Sequence, residues 1–120
     1  MRMIEIDYEA QLPIDSYGPG GFRIAGDWHA GSVLVLPSGI ERVEEALESR
    51  LTALASAHSG EIDILLIGMG ADIAPLASAA RAALEEAGIG FEIMSTSSAC
   101  RTYNVLLTED RRVGAALVAL

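Results

Sequence analysis

The spacing of apolar and polar positions changes repeatedly along the chain, and each change marks a boundary between elements. Met3, Ile4 and Ile6 predict a short first strand, and Leu12-Pro13-Ile14 an irregular edge. Gly18-Pro19-Gly20-Gly21 reads as a turn, since glycine allows positive φ and proline fixes its own. Phe22 with Ile24, then Val33 to Leu36, follow as two strands. Gly26-Asp27 opens the connection between them and Gly31 closes it, which predicts a hairpin carrying Trp28-His29 in its connection.

From Ser38 the period lengthens. Ile40, Val43, Leu47, Leu51 and Leu54 recur at helical steps while Glu41, Glu44, Glu45 and Glu48 face elsewhere, the mark of an amphipathic helix. Ser38 with Glu41 reads as a capping box, so this spacing starts the helix at Ser38, and Gly60 ends it. Ile62 to Ile67 is almost wholly apolar, as expected of a strand covered on both faces in a parallel sheet. After Gly68-Met69-Gly70, Asp72 suits an N-cap and Pro75 the first turn of the next helix. Ile73, Leu76, Ala80, Leu84 and Ala87 line one face of that helix, Arg81 and Glu85 the other, and Gly88 suits its C′ position. Phe91 to Met94 then completes a βαβ unit. Ser95 to Ser98 offers caps for a helix through Ala99, Tyr103, Leu106 and Leu107, and an apolar tail follows from Val113 to Leu120. With no repeat, low-complexity stretch or linker, residues 1–120 read as one domain of the α/β class.

Composition narrows the chemistry. Hydrophobic residues make up 51% of the 120 and aromatics only 5%, so the core must be aliphatic. The net charge is -9, and all 8 basic residues are arginine. Without lysine there is no Schiff-base chemistry and no phosphate-loop lysine. Nucleic acid binding needs a basic face to neutralise phosphates, and the charge balance argues against one. A lone cysteine, Cys100, forms no internal disulfide. The acidic first residues do not suit a signal peptide, and the apolar runs fall well short of the ~20 residues that span a bilayer. The expectation is a cytoplasmic chain with no membrane insertion.

The Gly68-Met69-Gly70 turn, between a buried strand and a helix, is where an anion could dock on free N–H groups. A dinucleotide fingerprint also needs a small residue where Ile73 stands and an acid where Met94-Ser95 stand, and Asp72 adds a negative charge beside the site. Thr96, Arg101, Tyr103 and Asn104 gather hydrogen-bonding groups at the next strand-to-helix junction, which a parallel sheet would bring to the same edge. These groups either line a ligand site or cap helices and tie down loops. Cys100, near a helix start and beside Arg101, is either an activated thiol or a small buried side chain. His29 and His58 are distant from Cys100 in sequence, and the Glu41–Glu48 cluster reads as a solvated helix face, since a metal site would need converging His or Asp that the sequence does not place. Trp28 is either an interface anchor or a cover for the core.

In order along the chain, Ile14 to Gly18 with Gly21 to Ile24, Gly31 to Pro37, Leu65 to Gly70, Gly88-Ile89 with Glu92-Ile93-Met94, Ala99, Arg101 and Tyr103-Asn104, and Arg111 to Val113 with Ala115 to Leu117 resemble the Mth-type domain family. Its members include a mitochondrial respiratory complex I assembly factor and an adipogenesis-associated protein. The resemblance implies a three-layer α/β (α+β) arrangement: a β-rich N-terminal part packed on a βαβ unit with a C-terminal helix. Over residues 38–61, where the likeness is weak, it implies a further strand, running to about Val43, before the helix. It implies no catalytic machinery and no cofactor. The function expected is a non-enzymatic binding or assembly module linked to respiratory or membrane complexes, acting on a protein partner and as a homodimer. The alternative is a protein or enzyme that binds a small anion or small molecule at the edge formed by Gly68-Gly70 and Thr96-Asn104.

Overall fold

The computed structural model describes residues 12–120, and the strand expected at Met3, Ile4 and Ile6 lies outside the described residues. The elements run β1 (Ile14–Gly18), β2 (Gly21–Ile24), β3 (Asp27–Ala30), β4 (Ser32–Leu36), β5 (Gly39–Val43), α1 (Leu47–Ala57), β6 (Ile64–Gly68), α2 (Ser78–Glu86), β7 (Gly90–Met94), α3 (Thr96–Thr108) and β8 (Val113–Leu117). β1, β2 and β3 form a three-stranded antiparallel meander. The other five strands form a mixed sheet in the order β5-β4-β8-β6-β7, with β6 parallel to both of its neighbours.

Alternation along the central strands assigns the layers. Leu34, Leu36, Leu65, Ile67 and Ala116 pack with Leu51, Leu54, Ala80 and Leu84 of α1 and α2. Their sequence neighbours Val33, Val35, Leu66, Ala115 and Leu117 pack instead with Phe22 and Ile24 of the small sheet and with Ala99 and Tyr103 of α3. The large sheet therefore lies between a pair of helices on one face and α3 with the small sheet on the other. This is the three-layer α/β arrangement that the sequence led us to expect.

Three local expectations need correction. No helix starts at Ser38: Pro37-Ser38 form a two-residue turn, and β5 pairs antiparallel with β4 from Leu36↔Gly39 to Ser32↔Val43. Ile40 and Val43 satisfy a helical spacing, yet they sit on opposite faces of a strand, Ile40 toward α3 and Val43 toward α1 and α2. The strand implied by the family resemblance wins, and α1 begins only at Leu47. Next, the strands holding Phe22 and Val33 do not pair. β2 folds back onto β3 through Ala25-Gly26, so Trp28-His29 lie on a strand, and after Gly31 the chain enters the other sheet.

Asp72 and Pro75 do not open α2. Ala77 is its N-cap residue and has no side-chain acceptor to offer. Glu48 of α1 supplies one, its carboxylate accepting the Ala77 N–H at 3.0 Å, where the helix dipole also favours negative charge. The other end of α2 follows expectation. Gly88 has φ +77°, its N–H donates to the Glu85 carbonyl, and the Ile89 N–H donates to the Leu84 carbonyl. That pair of bonds is a Schellman motif. The apolar tail from Val113 is the middle strand of the large sheet, with all five residues of β8 buried. Its small residues answer to crowding: a Cβ on Gly114 would lie 3.1 Å from Leu36, 3.2 Å from Ile62 and 3.3 Å from Leu65.

Candidate functional site

The parallel pairing of β6 with β7 sets Gly68 opposite Met94, so the glycine turn and the start of α3 do share one sheet end. What they make there is a knot of hydrogen bonds. The Met69 N–H donates to the Met94 carbonyl at 2.9 Å, and the Gly70 N–H donates to Thr96 Oγ1 at 2.8 Å. The Thr96 N–H returns to the Gly70 carbonyl at 2.9 Å, and its hydroxyl donates to the Val118 carbonyl at 2.7 Å. Val118 in turn donates to the Gly68 carbonyl at 2.9 Å. Thr96 is fully buried, so these bonds meet a real requirement.

The knot is also sterically full. A Cβ on Gly68 would fall 2.9 Å from the Thr96 Cα and 3.1 Å from both Ala99 and Leu117. Met69 packs against the core on the α1–α2 side. The N–H groups of Met69 and Gly70, on which a docked anion would depend, are thus already committed to Met94 and Thr96.

The remaining residues of the set lie further along α3 and face different partners. Arg101 is exposed and its guanidinium reaches Ser98 of the same helix at 3.4 Å. Tyr103 is buried, and its hydroxyl donates to the Leu12 carbonyl at 3.0 Å. Asn104 accepts the Ile14 N–H at 2.9 Å and donates to the Ile14 carbonyl at 2.8 Å. Its side-chain amide thereby stands in for a neighbouring strand along the edge of β1. Among the alternatives left by the sequence, the tying-down role is the one these contacts perform.

Cys100 is buried at 3% exposure. Desolvation pushes its thiol up to about 11, against a weaker opposing pull from Arg101. At neutral pH it stays protonated, in keeping with the buried side chain that was one of the two alternatives. Burial raises the Tyr103 phenol as well. Among the described residues no group of three or more His, Cys, Asp or Glu converges as metal ligands. His58 instead pairs with Glu61 and lies 3.9 Å from Glu41, which also pairs with Arg50, in a surface network around the N- and C-terminal ends of α1.

A more open place lies between the two sheets. Trp28 on β3 is 47% exposed. It rests on a floor of backbone, because a Cβ on Gly21 would meet its ring at 2.8 Å and the His29 carbonyl at 2.4 Å. The Arg23 guanidinium sits 5.9 Å from the indole centroid, within cation–π range. Beside the indole is a groove of about 300 Å³ lined by Trp28, His29, Ala30, Val33, Ile40 and Arg42. The Arg42 contact to Glu44 is 3.8 Å between two largely exposed side chains, a weak pair that leaves the cation available. Of these residues, sequence reasoning raised only Trp28 as a contact. Ile40-Glu41-Arg42-Val43 does alternate as a strand would, but the same apolar positions also fit a helix.

The chain is a three-layer α/β protein whose polar residues at the β6–β7 end bond to its own backbone, and whose open surface lies along β3. The chain belongs to the family described as protein of unknown function DUF498/DUF598, whose profile matches residues 14–118. An uncharacterised protein of Rhodobacter capsulatus is 48% identical over 120 residues, covering 97% of this chain and 91% of that protein. NADH dehydrogenase [ubiquinone] 1 alpha subcomplex assembly factor 3 of Danio rerio is 33% identical over 122 residues, covering 98% of this chain and 70% of the relative. Among solved structures, one described as an outer membrane protein from Bartonella henselae superposes with a TM-score of 0.80 at 40% identity, covering 91% of this chain and 95% of that one. These findings bear out the resemblance to the Mth-type family. No helix among the described residues is long and apolar enough to cross a membrane.

Proposed function

We propose that this chain is a non-enzymatic, cytoplasmic assembly module that binds a protein partner during maturation of a respiratory or other membrane complex. The observation that carries this reading is the 33% identity to complex I assembly factor 3 across 98% of the chain. The site geometry supports it, since Thr96, Tyr103 and Asn104 direct their polar atoms to backbone groups of their own chain. Deletion of the gene in its host, followed by native gels and NADH oxidation assays on membranes, tests the proposal. The expected result is a depleted or partly assembled complex, restored by the wild-type gene. A deletion strain that assembles complex I at the normal level and rate would overturn the assembly of that complex as its role.

A further inference from the structure

The two edges of the small sheet are finished differently. Along β1, Asn104 bonds both backbone groups of Ile14, and the register shifts between Ile14 and Ser16, two devices that blunt an edge. Along β3 the pairing with β2 is unbroken from Ile24↔Asp27 to Gly21↔Ala30. A two-residue turn makes Ile24↔Asp27 a hydrogen-bonded pair, so Phe22↔His29 is the next, and the Gly31 N–H donates to the Gly20 carbonyl at 2.7 Å in the same rhythm. By that alternation the N–H and C=O groups of Trp28 and Ala30 point away from β2, toward the groove. Among the described residues no strand pairs with them.

The same rhythm in the β4–β5 hairpin turns the backbone of Ile40 and Arg42 outward. The groove lies between the edge of β3 and the face of β4 and β5 that carries Val33, Ile40 and Arg42. Its vertex is near Gly31, where a Cβ would lie 3.7 Å from Arg42 Nε. Its lining is Trp28, His29, Ala30, Val33, Ile40 and Arg42, with Val33 buried at its base and Arg42 supplying its charge. In a chain of net charge -9, the groove is lined by an arginine and by no acidic side chain.

We propose that β3 is a docking edge that accepts an extended segment of a partner protein as an added strand. The segment alternates apolar with acidic residues: the apolar ones lie against the exposed Trp28 indole, and a carboxylate on the opposite face of the added strand meets Arg42. Main-chain bonds to Trp28 and Ala30 supply affinity, and alternate side chains supply selectivity. A second copy of this chain fits less well, because each copy carries a net charge of -9 and two copies repel. The inference rests on the reading that the chain works by binding a protein, and it names the element that does so.

The test uses the full chain and a blocked peptide, acetyl-Thr-Val-Glu-Val-Glu-Val-Thr-amide, followed by amide chemical shifts and hydrogen exchange. The expected result is shift changes confined to β3, Gly31 and β5, with exchange at the Trp28 and Ala30 amides slowed at least tenfold. A lysine-for-glutamate twin should bind at least tenfold more weakly, and R42E should reverse the preference between the two peptides. N-methylation of the peptide on its pairing side should abolish binding. Four outcomes would overturn the proposal: no shifts at millimolar peptide, shifts centred on another edge, protection without peptide that rises with chain concentration, and protection without peptide at every concentration. The third assigns the edge to a second copy and the fourth to the chain itself. None of the four touches the gene-deletion test, so this inference can fail while the assembly reading stands.

Discussion

The β6–β7 end and the β3 groove invite the same question and answer it in opposite ways. Both hold glycines beside an aromatic or hydroxyl side chain. At the β6–β7 end each backbone N–H of the turn has a partner within the chain, and the space above Gly68 is occupied by Thr96, Ala99 and Leu117. At β3 the register aims the backbone of Trp28 and Ala30 outward, and the side chains around them enclose open space. Donors that are committed internally hold a fold together, whereas donors left facing a groove are free to recognise something. Residue type did not separate the two places; satisfaction of their hydrogen bonds did.

The largest test of this contrast is Gly68→Val. The added atoms would press on backbone at Thr96, which cannot swing away, so the loss should reach about 3 kcal/mol by the overpacking rule. Equilibrium urea unfolding of the purified chain measures it. A loss below about 1 kcal/mol would mean that the knot is loose and has room for a ligand after all. Next comes Thr96→Val, which keeps the shape but strips the acceptor from the Gly70 N–H and the donor from the Val118 carbonyl. Leaving two such groups unpaired should cost about 2 kcal/mol. A near-neutral result would show that water or another group satisfies them.

A third test uses pH. The Cys100 thiol titrates near 9 in the unfolded chain and at about 11 in the folded one. Between those values the unfolded chain has lost a proton that the folded chain keeps, so stability falls as pH rises. The contribution is fully present below pH 9, and the expected loss is about 1 kcal/mol by pH 10, read from urea midpoints. Tyr103 acts in the same direction at higher pH, because burial raises it as well. Cys100→Ala should remove the part of the slope that begins at pH 9 and leave the tyrosine part. An unchanged profile would indicate a thiol in contact with solvent and would reopen its reactivity.

How much of this was legible in the sequence follows from how many physical demands each residue serves. Ile64 to Gly68, α3 and the C-terminal end of α2 were readable because spacing, caps and turn residues agree there, as at Gly88, whose positive φ and Schellman bonds leave little alternative. Residues 38–45 were not, since Ile40 and Val43 fit a strand and a helix equally, and only pairing with β4 decides between them. β8 was hidden for another reason. Gly114, Ala115 and Ala116 carry weak strand preference, and they are small because Leu36, Ile62 and Leu65 crowd the strand. The tying role of Asn104 spans 90 residues of sequence, beyond any local pattern. The groove joins β3 to β5, two strands whose proximity depends on a change of sheet at Gly31.

The smallest expected effect on stability sharpens the comparison most. Arg42 is largely exposed, and its contact to Glu44 is long. Exposed substitutions away from caps and buried networks change stability by no more than about 0.5 kcal/mol. Arg42→Glu should therefore unfold within that margin of the wild-type chain, while Gly68→Val and Thr96→Val fall well outside it. If Arg42→Glu instead costs about 2 kcal/mol, the guanidinium is holding β5 against the Gly31 bend, and the groove would then be a structural seam like the β6–β7 end. A neutral result keeps the two places distinct: one whose polar groups stabilise the fold, and one whose charge has no structural task and stays available to a partner's carboxylate.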